Sequence, residues 1–351
     1  MVAVIGWDIG GAHLKAARIE AGGSEAGGSG AEGSRAGRVV AARQIPAPLW
    51  LGLDRLEAAI AEMRRDLGPA RRHGVTMTGE LADIFPERGE GVRRLAALMT
   101  AALAPAPVAF YAGREGFVAD VAGREGAIAS ANWHASAALA ASAHPAALFA
   151  DCGSTTTDLI PISDGEIVAC GTGDAERLAA GELIYTGLTR SFVMALADRV
   201  PFAGIWTPLA CEHFATSADL YRILGELDEA DDQMPAADGR EKTRAASIAR
   251  LARMLGRDAG EASPAAWRDL AGFLAEAQLR RIHDAALLVL SRCPLPADAP
   301  VIAAGVGAAL MRRLAARLGR RCQPLFTDRA AATHAPAAAI GVLLSRTEDR
   351  S

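Results

Sequence analysis

Two stretches of this sequence share one signature, an apolar run that ends in an aspartate and turns at once through glycine: VAVIGWDIGG at residues 2–11 and AALFADCG at residues 146–153. Each leads into a second apolar run, through Ile19 in the first case and through Leu159-Ile160-Pro161-Ile162 in the second. The pattern predicts strand, tight turn, strand. Glycine in such a turn lets main-chain N–H groups face an anion at close range, so Asp8-Ile9-Gly10-Gly11 and Asp151-Cys152-Gly153-Ser154 are candidate phosphate hairpins. A third turn, Ala304-Gly305-Val306-Gly307, follows another apolar run. One strand-Asp-Gly turn is also an ordinary hairpin turn. Three of them, two opening the same succession of strands, form a more specific pattern.

The remaining periodicity predicts the order βββαβα for the first half: strands through Ile9, through Ile19 and over 38–45, a helix over 53–66, a strand over 73–78, a helix near 90–104, a strand over 107–112 and a closing helix within 130–143. Residues 21–37 are rich in Gly and Ser and predict a flexible hairpin tip without a functional role. The second half repeats the opening, with strands at 146–151, 156–162 and 166–171 and a turn at Asp164-Gly165. It then turns mostly helical, with amphipathic helices over 243–256 and 264–292, a buried strand at 300–304 running into a helix, and a last helix over 330–346. Domains are expected at 1–143 and 144–329, with 330–351 packing back on the first. The acidic segment 228–241 predicts a solvated loop, not a metal site.

Composition limits the function classes. The chain has 351 residues, 51% hydrophobic and 22% charged, and a net charge of −4. That length suits about two domains. The charge balance carries no nucleic-acid footprint. No uncharged apolar run approaches the roughly 18 residues of a spanning helix, and no basic flank precedes the first apolar residues, so no membrane partner and a cytoplasmic location are expected. The five cysteines are odd in number and scattered, which predicts buried thiols rather than a disulfide framework or a zinc site. Of the 37 basic residues only Lys15 and Lys242 are lysine. Lys15 reads either as a survivor of an arginine-favouring bias or as a compact point charge kept beside the first turn. The oligomeric state is not legible.

The second turn matches D-x-G-x-T-x-T-D at Asp151, Gly153, Thr155, Thr157 and Asp158. This resembles the hydantoinase/oxoprolinase branch of the actin, sugar-kinase and heat-shock-chaperone ATPase superfamily. The resemblance implies an α/β fold of two duplicated ribonuclease-H-like domains facing across a cleft, each with a phosphate hairpin, and a third Gly turn at Gly305 and Gly307 that contacts adenosine. The first hairpin departs from the branch's usual D-I-G-G-T-x-T-D, because Ala12-His13-Leu14-Lys15 follows Gly11. With GWDIGGAHLK at Gly6–Lys15, TMTGELAD at Thr76–Asp83, DCGSTTTDLIPI at Asp151–Ile162 and GELIYTG at Gly181–Gly187, the whole chain is similar to tetrahydromethanopterin-linked one-carbon transfer pathway proteins. Archaeal members of that group resemble a synthase of methanofuran assembly. What this implies is a transferase that joins an aminomethyl-furan-methyl diphosphate to the phenol oxygen of γ-glutamyl-tyramine and releases diphosphate, in methanofuran or methylofuran biosynthesis.

The residues suit such chemistry. Ionising a furfuryl-type C–O bond requires stabilisation of negative charge on the departing diphosphate. Donors would be the amides of Gly10, Gly11, Gly153 and Ser154 and the hydroxyls of Ser154, Thr155 and Thr156. Lys15 would add a mobile positive charge, and Asp8 and Asp151 would hold Mg²⁺ directly or through water. The same parts serve ATP, so two alternatives stand: an ATP-dependent small-molecule kinase or hydantoinase/oxoprolinase-like amidohydrolase, and a non-catalytic nucleotide-sensing protein. Against purine binding, the third turn reads AGVG where many superfamily kinases carry G-G-x-[AGST]. Further substrate candidates each have a plainer reading. Glu80 and Asp83 would hold an ammonium or take the phenol proton, or are solvated acids of a capping turn. His13 and His134 are candidate bases or structural histidines. Tyr185 lines an aromatic pocket or sits in the core.

Overall fold

The computed structural model describes residues 3–20 and 37–348. The Gly/Ser-rich tip expected at 21–37 therefore lies, apart from Gly37, outside the described residues. In chain order the first elements are β1 (Ala3–Ile9), β2 (His13–Glu20), β3 (Arg38–Pro46), α1 (Leu53–Leu67), β4 (Arg72–Met77), α2 (Arg88–Leu103), β5 (Val108–Tyr111), β6 (Phe117–Val118), α3 (Glu125–Ile128) and α4 (Asn132–Ala141). Then come β7 (Ala146–Cys152), β8 (Thr157–Ser163), β9 (Glu166–Ile167), α5 (Asp174–Ala180), β10 (Leu183–Ile184), β11 (Arg199–Phe202), β12 (Ile205–Pro208) and α6 (Ser217–Leu224). The last are α7 (Arg244–Arg253), α8 (Pro264–Arg292), β13 (Val301–Ala304), α9 (Ala308–Arg317), β14 (Cys322–Pro324), α10 (Arg329–Thr333) and α11 (Ala335–Glu348).

The chain divides into two compact units, residues 1–149 with 160–180 and 323–351, and residues 150–159 with 181–322. Residues 160–180 thus group with the first unit, and so does the C-terminal helix.

In the first unit the sheet runs β3-β2-β1-β4-β5-β6. β1 pairs antiparallel with β2 and parallel with β4, and every described residue of β1 is buried, as a central strand with both faces covered requires. Ile5, Trp7 and Ile9 join the core with the buried stripe of α1, Leu56, Ala59, Ile60, Met63 and Leu67, and with Val92, Leu95 and Met99 of α2. The i, i+3, i+4, i+7 spacing of the α1 stripe is the reason that segment forms a helix on this face.

Period-two alternation turns Gly6 and Asp8 to the other face of β1. There α11 lies against the strand: a Cβ on Gly6 would stand 2.1 Å from the Ala337 carbonyl oxygen and 2.4 Å from the Gly341 nitrogen. Gly341 in turn has Ile19 Cδ1 at 2.2 Å from where its own Cβ would be. Glycine inside a strand marks close backbone approach, and here it lets a helix seat directly on β1 and β2.

The second sheet has the order β10-β8-β7-β13-β14, with β9 also paired to β8. It follows the order of the first sheet over five strands, without a counterpart of β6, and its third strand is built differently. The strand expected over 166–171 stops at Ile167. Asp164 and Gly165 both adopt positive φ, the backbone of a tight two-residue hairpin, so β9 begins as expected. Past it, the Glu176 carboxylate accepts from the Thr172 and Gly173 amides at 2.9 and 3.4 Å and winds the chain into α5. β10 instead takes the position beside β8, pairing Leu183 with Asp158 and Ile184 with Thr157.

The second unit packs α6, α7 and α8 with the β11–β12 hairpin around Leu220, Ile223, Leu251, Trp267, Leu270 and Leu274. Two expectations are corrected here. Segment 228–241 is not simply solvated: Asp232 is buried and accepts from Arg222 Nη2 at 2.6 Å, while Lys242 donates to the Asp232 and Met234 carbonyls. Arg250, fully buried, reaches both Asp219 and Asp238. Of the cysteines only Cys152 is buried, whereas Cys170 and Cys211 are exposed. Both lie in connections after strand ends, not on core faces. No helix among the described residues is long and apolar enough to cross a membrane.

The close contact at Gly6 gives a stability prediction. Gly6→Ala forces β1 and α11 apart and should destabilise the protein by about 3 kcal/mol or more, since overpacking against backbone has no side chain to give way. Thermal unfolding checks this, and an unchanged Tm would contradict the seating described.

Candidate functional site

The β1–β2 register sets Asp8 directly opposite Lys15 at the end of the hairpin. Cross-strand neighbours on one face lie within side-chain reach, and Lys15 Nζ stands 3.7 Å from Asp8 Oδ2. The lysine keeps some exposure, and the carboxylate has almost none. Burial pushes the Asp8 carboxyl up from its ordinary value, and the Lys15 ammonium opposes that shift. Asp8 Oδ1 has no hydrogen-bond partner. On the neighbouring strand the residue in register with Asp8 is Thr76, whose buried hydroxyl also lacks one. Two buried polar atoms without partners at paired positions are uncommon in a folded protein and mark a place for an absent ligand or water.

Gly10 closes the hairpin by donating its N–H to the His13 carbonyl at 2.9 Å. A Cβ on Gly11 would meet nothing within 4 Å, and the φ of Gly11 is not in the left-handed region. Nothing in the fold asks for glycine at that position. Open space over a main-chain amide is what close approach of an anion needs. His13 is buried and shares a face of β2 with Lys15. Sequence reasoning missed His334, just before α11. Its Nδ1 lies 2.7 Å from the Ala330 carbonyl, and burial, with Lys15 close enough to contribute, pushes its pKa down to about 4. The only signal for it was a lone histidine in an alanine-rich run.

Glu80 is neither solvated nor a helix cap. It is buried, Oε1 accepts from Ser130 Oγ at 2.8 Å, Arg88 Nη2 lies 3.7 Å away, and Oε2 has no partner. Burial raises its pKa, against the Ser130 hydrogen bond and Arg88, while Asp174 adds to the rise. Ser130 adopts φ 52° and also donates to Asp174 at 3.2 Å. Asp83, by contrast, is exposed. His134 lines a cavity of about 280 Å³ in the first unit with Trp133, Arg114 and Glu115. Its Nδ1 is 2.9 Å from the Tyr111 hydroxyl, and burial beside Arg114 and Arg177 pushes its pKa down to about 4.

In the second unit Asp151 is buried at the end of β7, and residues 153–156 form a half-exposed tip closed by Gly153 N–H donating to the Thr156 carbonyl at 2.9 Å. Gly153, like Gly11, has neither positive φ nor a tight neighbour. Thr157 spends its hydroxyl on the Thr186 carbonyl at 2.7 Å. The GELIYTG block is explained by this tip. Gly187 would set a Cβ 2.6 Å from the Ser154 carbonyl, Leu188 donates to Gly153, and Thr189 and Arg190 donate to Ser154.

The third turn is also structural. Gly305 has φ +81° and would place a Cβ 2.2 Å from Asp151 Oδ1, and Gly307 would place one 2.3 Å from Cys152 Sγ. These glycines are needed for packing on β7. Cys152 itself is held as a thiol, pushed up to about 12 by burial. Tyr185 is not core: it is 54% exposed and lines a cavity of about 530 Å³ in the second unit.

As to a metal, no group of three or more His, Cys, Asp or Glu side chains among the described residues could hold an ion by itself. The partnerless Asp8 oxygen is a hard donor of the kind Mg²⁺ takes when phosphate and water complete its shell. The chemistry of the donor fits that ion.

Two predictions follow from these environments. Gly11→Ala should change stability by no more than about 0.5 kcal/mol, whereas Gly305→Ala should cost about 1–3 kcal/mol or more through clash and positive φ. Equal melting temperatures for the two would contradict this division of the glycines. For His134, the unfolded imidazole binds a proton below pH 6.5 and the folded one only below about 4. Stability therefore falls as pH drops through that window. Denaturant unfolding of His134→Gln should show a smaller loss than wild type between pH 6.5 and 4, and parallel curves would contradict the assignment.

Comparison with known proteins places the chain. Its residues 71–350 match the hydantoinase/oxoprolinase family model. A protein of Methanocaldococcus jannaschii named (4-{4-[2-(gamma-L-glutamylamino)ethyl]phenoxymethyl}furan-2-yl)methanamine synthase is 28% identical over 72% of this chain and 72% of its own. A Methanococcus vannielii protein of the same name is 34% identical over 33% of this chain and 52% of its own. Among solved structures, component A of the Acidaminococcus fermentans (R)-2-hydroxyglutaryl-CoA dehydratase superposes with TM-score 0.50 at 11% identity, covering 99% of this chain and 100% of that one. Nucleotide-free acetone carboxylase gives TM-score 0.52 at 11% identity, over 97% of this chain and 69% of that one. The fold is shared with these two proteins, and the chain belongs to the hydantoinase/oxoprolinase family.

Proposed function

We propose that this protein is a transferase that condenses an aminomethyl-furan-methyl diphosphate with the phenol of γ-glutamyl-tyramine, as the name of its archaeal relatives suggests. The observation that carries the reading is the Asp8–Lys15 pair on the two strands of a hairpin whose tip residue Gly11 has open space around its Cα. A family hairpin that usually ends in threonines and aspartate here offers a compact cation and a partnerless carboxylate oxygen, which suits a polyanionic leaving group.

In this reading the furfuryl C–O bond breaks with its electron pair leaving on diphosphate, and the phenol oxygen forms the new C–O bond as its proton passes to a base. The Gly11 amide stabilises the charge growing on the phosphates; the amides of Gly10 and Gly153 are already spent on the His13 and Thr156 carbonyls inside their own turns. Lys15 follows that charge as it moves. Asp8 would hold Mg²⁺, whose chemistry here is to neutralise the departing diphosphate. His134 is an accepting, neutral imidazole above about pH 4, and Glu80 is the other base candidate. Neither role requires nucleotide.

The test is turnover without ATP. Purified protein with Mg²⁺ and both substrates should yield the ether and one diphosphate per product. Lys15→Ala and Asp8→Asn should each lower the rate by about 10²–10³ with the fold intact by circular dichroism. ATP hydrolysis without use of the furan diphosphate, or near-wild-type rates in both variants, would contradict the proposal.

A further inference from the structure

The 530 Å³ cavity of the second unit combines aromatic and charged side chains in its lining. Thr155, at the tip of the second hairpin, forms part of its wall, with Arg190, Tyr185, Phe192 and His213. Tyr185 and Phe192 are 54% and 43% exposed. Phe192 and His213 lie ring to ring at 4.4 Å between centroids. Large aromatic side chains left open around a concavity are not explained by core packing, and cavities of roughly 300–1,000 Å³ with apolar walls and a few polar groups are typical of small-molecule sites.

The cavity is also rigid. Its floor includes Asp219, which accepts from Arg250 at 2.7 Å and from Ser247 at 2.7 Å, and Asp232, which accepts from Arg222. Every one of those charges is matched, so the floor adds little net charge. Arg190 is fixed to the hairpin through its own amide, which donates to the Ser154 carbonyl at 2.8 Å. Burial disfavours its charged form relative to water, which raises the gain from meeting an anion. No residue of the third Gly turn lines the cavity, so it is distinct from a pocket built on Gly305 and Gly307.

We propose that this cavity binds the aromatic ring of a phosphorylated aryl-methyl substrate, with Phe192, His213 and Tyr185 around the ring and Arg190 with the Thr155 hydroxyl on its phosphate. The site deepens the proposed function and rests on it for the identity of the ring, a furan. It makes Phe192 and Tyr185 specificity residues, and Arg190 an anion ligand that sequence reasoning passed over.

Two probes that share an anion separate the ring from the phosphate: furan-2-ylmethylphosphonate and methylphosphonate, titrated calorimetrically into the full chain. Wild type should prefer the furan compound by about tenfold, the scale of burying and stacking one small ring. Phe192→Ala and Tyr185→Ala should each shrink that preference several-fold while leaving methylphosphonate affinity unchanged, with Phe192→Tyr restoring it. Arg190→Gln should weaken both probes alike, about tenfold or more. A wild type without ring preference, or a preference that survives both alanine variants, overturns the pocket assignment. Ether formation, measured separately, keeps the two ideas apart. Loss of ring preference in the variants of a protein that makes no ether would leave the pocket standing and the synthase reading fallen, and ether formation with an unchanged preference in the variants would do the reverse.

Discussion

The pairing of Asp8 with Lys15 across one tight turn is the interaction on which the account depends. It is a consequence of register: six residues lie between the two positions, the turn takes Gly10 to Ala12, and the antiparallel ladder sets them face to face. The strand that carries Asp8 is fixed by α11, seated on Gly6 of the same face at a distance no side chain would allow. A carboxylate fixed at the end of a buried strand, with one oxygen turned to a lysine and the other without a partner, cannot relax away from its cation. Burial raises its proton affinity and the ammonium opposes that rise.

The glycines divide by physical cause, and the division separates fold from function. Gly6, Gly187, Gly305, Gly307 and Gly341 stand where a Cβ would strike main chain or a fixed side chain. They allow a helix to sit on a sheet or a turn to lie on β7. Gly11 and Gly153 stand in ordinary backbone conformations with ordinary or open surroundings. Gly153 spends its N–H on the Thr156 carbonyl, so room for a closely approaching anion is left as the reason for glycine at Gly11. Both sit at the tip of a hairpin after a buried aspartate, which is why a phosphate-handling role is attached to them and not to the third turn.

Much of this was legible in the sequence, for identifiable reasons. The long helix Pro264–Arg292 follows a Ser-Pro start and keeps its apolar spacing throughout, and its ends were read to the residue. The two Asp-Gly turns sit where apolar alternation breaks, so β1, β2, β7 and β8 were read within about a residue or two. The third strand of the second sheet was not, because residues 168–173 continue an apolar run that a single carboxylate, Glu176, captures into α5. The acidic loop misled because charge pattern alone does not say which arginines lie beneath it. Arg222 and Arg250 come from α6 and α7, the helices on either side of the loop, and turn a polar segment into an anchored wall. Glu80, His334 and Arg190 share that lesson: each depends on partners from other elements.

The most direct measurement is a crystal structure of the protein grown with Mg²⁺ and inorganic diphosphate. The account predicts phosphate oxygens within about 3 Å of the Gly11 amide and the Lys15 ammonium, with Asp8 Oδ1 facing the metal or its water. Diphosphate bound elsewhere, with the Gly11 amide left to solvent and Lys15 still turned only to Asp8, would contradict it.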